Sequence, residues 1–309
     1  MQKTLGAKAL SHTCSSFPRA HHTYKNEVRN SLSLACPEVT SRILNDPDAM
    51  ALSEKTIIQQ TFNTAPLFPA QQKLLNLFCL SLINHANSST EAALYALIKF
   101  VMYAQKFAKI DDAALGELEQ VYAALLEQLQ TGVLAQELMN IAPDSKVKTS
   151  LVLQMQDYFR SLPLNRGSVI LDHYIQCLLR GLTAEEGVSM EQKVSDIESS
   201  LARCLQADEQ QKNWAFRNLI LYKIWENNFP NQPNVDPLRA LYIIVAEYAF
   251  IKLLTAASVH ERGRLEWDDV TVYSFHSRSQ HNSEVAKNFH RHIETVRTGD
   301  DLSMIHLLT

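Results

Sequence analysis

Glycine and proline are scarce, with 8 and 10 residues among 309. Few turn formers argue against a fold of many short strands. The abundant Leu, Ala, Gln and Glu favour long helices with short connections. The glycines never fall into G-x-G-x-x-G or a Walker loop, so the phosphate-cradling turns of nucleotide sites are missing. H-E-x-x-H, C-x-x-C and G-x-S-x-G are missing as well, which removes the common routes to zinc hydrolysis, dithiol exchange and serine hydrolysis. Basic charge is not in excess, because the formal net charge is -4. Nucleic-acid binding needs a clustered basic face, and this composition gives no case for one.

Long apolar runs are also rare. The most apolar window is "ALYIIVAEYAFIKLLTAA", 240–257, and it contains Glu247 and Lys252. Either charge would cost a few kcal/mol at a bilayer centre, so a buried core helix is predicted and no membrane partner. Residues 1–13 lack a basic start followed by an apolar stretch. Cysteines number five: Cys14, Cys36, Cys79, Cys177 and Cys204. An odd count without an export signal predicts a reducing cytoplasm and no disulfides.

What is present is helical periodicity. The prediction is an all-α, multi-helix domain over 69–309, preceded by an irregular Cys/His-containing segment over 1–68 with one short helix. The short helix begins at Pro37, which suits a first turn. "NSLSLAC" alternates and predicts a short strand. Helices are then predicted from Pro69, from a capping box at Ser89 or Thr90 to about Ala108, and from the acidic turn at Asp111 to a stop at Gly132. Others cover about 145–161, 167–181, 189–206 and 210–228. A further one starts after the Asp236 cap with Pro237 in its first turn. The stretch 183–192, "TAEEGVSMEQ", reads as a hinge.

Three groups could carry chemistry. Cys14 and Cys36, 22 residues apart with His12, His21 and His22 nearby, could supply half of a metal site, since zinc and iron–sulfur centres usually need four ligands. They could equally be small buried residues. In "SFHSRSQHNSE", 274–284, Arg278, His281 and Asn282 share a face if the stretch is helical. Arg grips carboxylates, and His and Asn orient amines or carboxylates. The same face could be a plain polar surface. Glu247 and Lys252, five apart, point to different sides of their helix and should pair with other helices. Cys79, Cys177 and Cys204 fall on apolar faces and read as core.

These residues bear a family resemblance. "LGAKALSHTCSSFPRAHH" and "SLSLACPEVTSRIL", followed by "FRNLILYKIWENNFP", "LYIIVAEYAFIKLL" and "VYSFHSRSQHN", resemble the bacterial flagellin lysine-N-methylases. The family pattern has a Leu-Gly step, T-C-x-x-[YF]-P-R, S-L-S-x-x-C-P-E and a late S-x-x-R-x-x-x-H-N. Here it meets Cys14, Pro18, Arg19, Ser31, Leu32, Ser33, Cys36, Pro37, Glu38, Arg278, His281 and Asn282. Arg278 departs by one residue of spacing. The resemblance implies methyl transfer from S-adenosylmethionine to flagellin lysines in the cytoplasm. It implies Cys14 and Cys36 as downstream ligands of an iron–sulfur cluster or other metal whose upstream cysteines would precede residue 1. On that expectation this chain is shortened and could be inactive, and a non-enzymatic, flagellin-binding helical scaffold is the alternative. Methylating a lysine needs a neutral amine in a desolvated site. Glu247, Tyr248, His281 and Asn282, with Arg278, are the candidate catalytic residues.

Overall fold

The protein is described by a computed structural model, which describes residues 17–56, 64–85, 89–162, 166–184, 186–207, 213–266, 272, 276 and 283–309. Cys14, Arg278, His281 and Asn282 lie outside the described residues.

Two strands open the described chain, β1 (Arg19–Thr23) and β2 (Val28–Leu32), paired antiparallel with Arg19 opposite Leu32 and Thr23 opposite Val28. The strand predicted over 30–36 is therefore set further upstream. Leu34 is fully buried and its carbonyl accepts the Thr40 hydroxyl at 2.6 Å, so the chain turns into the core after Leu32. Helix α1 (Pro37–Asn45) follows directly, with Cys36 at its N-cap and Pro37 in its first turn.

The rest is helical, as the composition predicts. In order come α2 (Ala70–Ile83), α3 (Thr90–Ala104), α4 (Asp112–Gln130), α5 (Val133–Met139) and α6 (Ser145–Arg160). Then follow α7 (Arg166–Thr183), α8 (Met190–Ala207), α9 (Asn213–Glu226), α10 (Pro237–Arg262) and α11 (Ser283–Arg297). A 3₁₀ turn over Asp301–Leu307 ends the chain. Gly132 stops α4 as predicted, but its left-handed backbone (φ 75°) also launches α5, which periodicity alone did not reveal. In the stretch read as a hinge, α7 ends at Thr183 and α8 begins at Met190, and both helices pack on α10.

Helix α10 is the axis of the fold. Asp236 caps it by accepting from Arg239 N at 3.0 Å, and Gly263 (φ 72°) ends it. It packs against α3, α6, α7, α8, α9, α11 and the 3₁₀ turn. The helix is long and apolar enough to cross a membrane, yet 83% of its most apolar window is buried inside the protein. Each fully buried Leu, Ile or Phe contributes about 1.5–3 kcal/mol, so this helix supplies much of the driving force for collapse.

The N-terminal segment joins the same core through Leu34, Val39, Ile43 and Leu44. Its anchor is Arg29 on β2, 4% exposed, whose guanidinium lies 4.3 Å from the Phe68 ring centroid and 4.5 Å from that of Trp225. Arg29 donates to Glu27, Asn76 and Asn228. Asn76, fully buried on α2, donates in turn to the carbonyls of Ile224 and Phe229. A buried guanidinium is tolerated because its donors and ring faces are both occupied.

Candidate active site

Two neighbours on α10 serve different places. Glu247 faces α9, where Lys223 Nζ donates at 2.9 Å to Oε1 and stands 2.7 Å from Oε2. His276 Nε2 lies 3.0 Å from Oε1, and its imidazole is fully buried among Tyr158, Phe250 and Phe289. Burial pushes the Glu247 carboxyl up, but Lys223 and His276 outweigh it and hold it at about 2.

One residue on, about 100° around the helix, Tyr248 turns toward α3. Its hydroxyl donates to Glu91 Oε1 at 2.5 Å, and Lys252 Nζ donates to the same oxygen at 2.5 Å. Burial pushes Glu91 up, while Lys252 and the Tyr248 hydroxyl hold it down at about 2. Burial and the Glu91 charge push the Tyr248 phenol well above its usual range, so it stays protonated at neutral pH. Phe216 of α9 meets the Tyr248 ring edge-on at 5.9 Å. Glu247 and Lys252 thus each pair with a different helix, as their spacing predicts.

Tyr248, Glu91 and Lys252 form part of the wall of a cavity of about 1620 Å³. Helices α3, α6, α8 and α9 each bring their first turn to it. Three of these starts carry a carboxylate that lines the cavity: Glu91, Asp144 and Glu191. Each is favoured there by the positive end of its own helix. Glu198 and Lys148, 3.0 Å apart, face each other across α8 and α6. Trp214, Phe216 and Arg217 of α9 complete an aromatic and cationic side.

Of the residues singled out in the sequence, Tyr248 lines this cavity and Glu247 does not. Glu91 was legible only as a capping residue. Ser89 does cap α3, accepting from Ala92 N at 3.1 Å, but the Glu91 carboxylate reaches across to α10 rather than closing the box. Arg217 and Trp214 carried no sequence signal beyond being polar or aromatic on an apolar helix.

Cys36 is half-buried at the start of α1 and makes no side-chain cap. Cys79 and Cys177 are core residues as predicted, and Cys204 is only partly covered. Among the described residues no three His, Cys, Asp or Glu side chains come together as a metal-holding group. Of the Cys14–Cys36 pair, the described residues include Cys36 alone.

Residues 76–307 match the model of the FliB lysine N-methylase C-terminal domain. The chain is 99% identical to the Lysine-N-methylase of Salmonella choleraesuis (strain SC-B67), over all of this chain and 78% of that protein. It is 98% identical, with the same coverage, to the Lysine-N-methylase of Salmonella typhimurium (strain LT2). It is 96% identical over 55% of its length to the whole of the Flagellar biosynthetic protein FliV of Salmonella muenchen. No solved structure matches. A match over most of the chain, together with near-identity to two lysine N-methylases, shows that this chain belongs to the FliB lysine N-methylase family, a family of lysine methyltransferases.

Proposed function

We propose that the chain methylates lysine side chains of flagellin with S-adenosylmethionine, in the cytoplasm, and that the large cavity is where the two meet. The observation that carries this reading is the Tyr248–Glu91–Lys252 cluster on the cavity wall. The flagellin substrate is supported by the naming of FliV as a flagellar biosynthetic protein.

The donor set suits the proposed ligand. Trp214 and Phe216 offer ring faces, Glu191 and Glu198 can accept from hydroxyl or ammonium groups, and Arg217 can grip a carboxylate. When bound, S-adenosylmethionine supplies a methyl group on a sulfonium. The protein must present a neutral amine to it. The Lys252 ammonium already occupies the Glu91 carboxylate, so a second ammonium beside it is disfavoured and an entering lysine sheds its proton to water. Tyr248, held protonated, keeps its hydrogen on Glu91 and turns an oxygen lone pair to the amine. That contact aims the nitrogen lone pair and fixes a near-attack geometry. Glu91, held at about 2, is too weak a base to keep the lysine proton and acts by orienting Tyr248 and Lys252. Glu247 supports the helix from behind and does not touch the reacting atoms in this scheme.

The test is mass spectrometry of flagellin incubated with the protein and S-adenosylmethionine. Mass gains in multiples of one methyl group are expected with the native chain. Tyr248→Phe and Glu91→Gln should slow the gain roughly 100-fold. A native chain that leaves flagellin unmodified overturns the enzymatic reading, and binding without turnover would favour a scaffold instead.

A further inference from the structure

Among the described residues three Lys and Arg side chains line the cavity, and two are already neutralised. Lys148 pairs with Glu198 and Lys252 pairs with Glu91. The third, Arg217, makes no ion pair among the described residues. Its one hydrogen bond runs from Nη2 to the carbonyl of Pro47 at 3.2 Å. Among the described residues its Nε–H is enclosed without a partner, and Asp48 is the opposing charge that acts on it. The first turn of α9 carries no acidic residue to answer it. Trp214, three residues earlier and on the same helical face, also lines the cavity, and among the described residues its indole N–H is likewise enclosed without a partner. Burial lowers the Arg217 guanidinium, which still remains charged at neutral pH.

A guanidinium that lines a cavity with no carboxylate paired to it is costly unless a ligand answers its charge. Of the carboxylates that line the cavity, Glu91 and Glu198 already hold Lys252 and Lys148, and Glu191 accepts from the Ser145 hydroxyl. Among the described residues, Arg217 is thus the lining cation that no carboxylate neutralises. A carboxylate is the complement of that cation.

We propose that Arg217 is the anchor for the α-carboxylate of the methyl donor. This rests on the reading of the cavity as the S-adenosylmethionine site. A guanidinium can meet a carboxylate with two parallel N–H···O bonds, which fixes the amino-acid part of the ligand at α9. The adenine ring then has Trp214 and Phe216 within the same wall, and the sulfonium is left to lie toward Tyr248.

The test is calorimetric titration of the 309-residue chain with S-adenosylmethionine and with its decarboxylated analogue, in the native protein, Arg217→Gln and Arg217→Lys. Arg217→Gln should weaken S-adenosylmethionine roughly 10- to 100-fold and leave the decarboxylated analogue within about twofold. Arg217→Lys should recover part of the loss, because the charge remains while the two-pronged contact is gone. Equal weakening of both ligands would mean that Arg217 acts only by holding the Pro47 carbonyl, and it overturns the inference. Unchanged affinity for S-adenosylmethionine in Arg217→Gln overturns it as well. If the native chain binds neither ligand, the cavity is not the methyl-donor site, and the reading beneath the inference falls with it.

Discussion

Glu247→Gln removes one charge from a buried trio and keeps the shape of the side chain. In the native protein Glu247 is 5% exposed and is held by Lys223 and His276. Its carboxyl lies at about 2 in the fold against 4.5 for an unconstrained glutamate. A shift of that size corresponds to about 3 kcal/mol of stability at neutral pH, at roughly 1.4 kcal/mol per unit. Breaking a buried pair by removing one partner costs about 3–5 kcal/mol on independent grounds, so the two routes agree. Unfolding entropy of about 2.1 cal/mol/K per residue turns 3 kcal/mol into roughly 5 °C for a chain of 309 residues. The folded value is depressed, so the stabilisation is fully present above the unfolded value and is lost as pH falls toward 2. The gap between native and variant midpoints, followed by circular dichroism, should be near its full size at pH 7. It should shrink to less than about half by pH 3. Glu91 acts in the same acid range but is present in both proteins, so it cancels from the difference. A gap below about 1 °C at pH 7, or one that stays constant down to pH 3, would refute the assignment of Glu247 as a charged anchor.

Two further outcomes follow from the buried groups. Arg29→Met leaves the Asn76 and Asn228 oxygens without their donor and removes the cation from between Phe68 and Trp225, so it should lower stability by about 2–4 kcal/mol in urea titrations. An unchanged midpoint would mean that the hairpin is not held through this residue. Brief treatment of native protein with iodoacetamide at pH 8, followed by peptide mapping, should modify Cys36 and Cys204 but spare Cys79 and Cys177. Burial pushes the Cys177 thiol up to about 11 and that of Cys79 higher still, so labelling of either before unfolding would contradict the packing.

The helical fold was legible because its signals are local. Asp236, Pro237 and Gly263 bound α10 by cap chemistry that needs no knowledge of the partners. The interior of α10 was legible too, since Glu247 and Lys252 sit five residues apart and cannot serve one neighbour. The hairpin was harder. Val28–Leu32 pairs with a strand that begins at Arg19, and what secures it is Arg29, whose partners include Asn76 and Asn228, 47 and 199 residues away. No periodicity encodes contacts at that separation. The start of α5 was hidden for a different reason, because one left-handed glycine both ends a helix and begins the next.

The site follows the same division. Tyr248 could be named because an aromatic hydroxyl beside a charge in an apolar helix is conspicuous. Glu91 could not, because Ser89-Thr90-Glu91 is also what an ordinary helix start looks like. Its carboxylate satisfies both descriptions: it sits at the positive end of α3 and it accepts from Tyr248 and Lys252 on α10. Arg217 was less legible still, since what distinguishes it from Lys148 and Lys252 is that no carboxylate pairs with it among the described residues, which only the packed arrangement exposes. Residue type and spacing can nominate a group that is chemically unusual for its surroundings. They cannot say which of several ordinary cations the fold leaves without a carboxylate among the described residues, and the proposed anchoring of an anionic ligand rests on that difference.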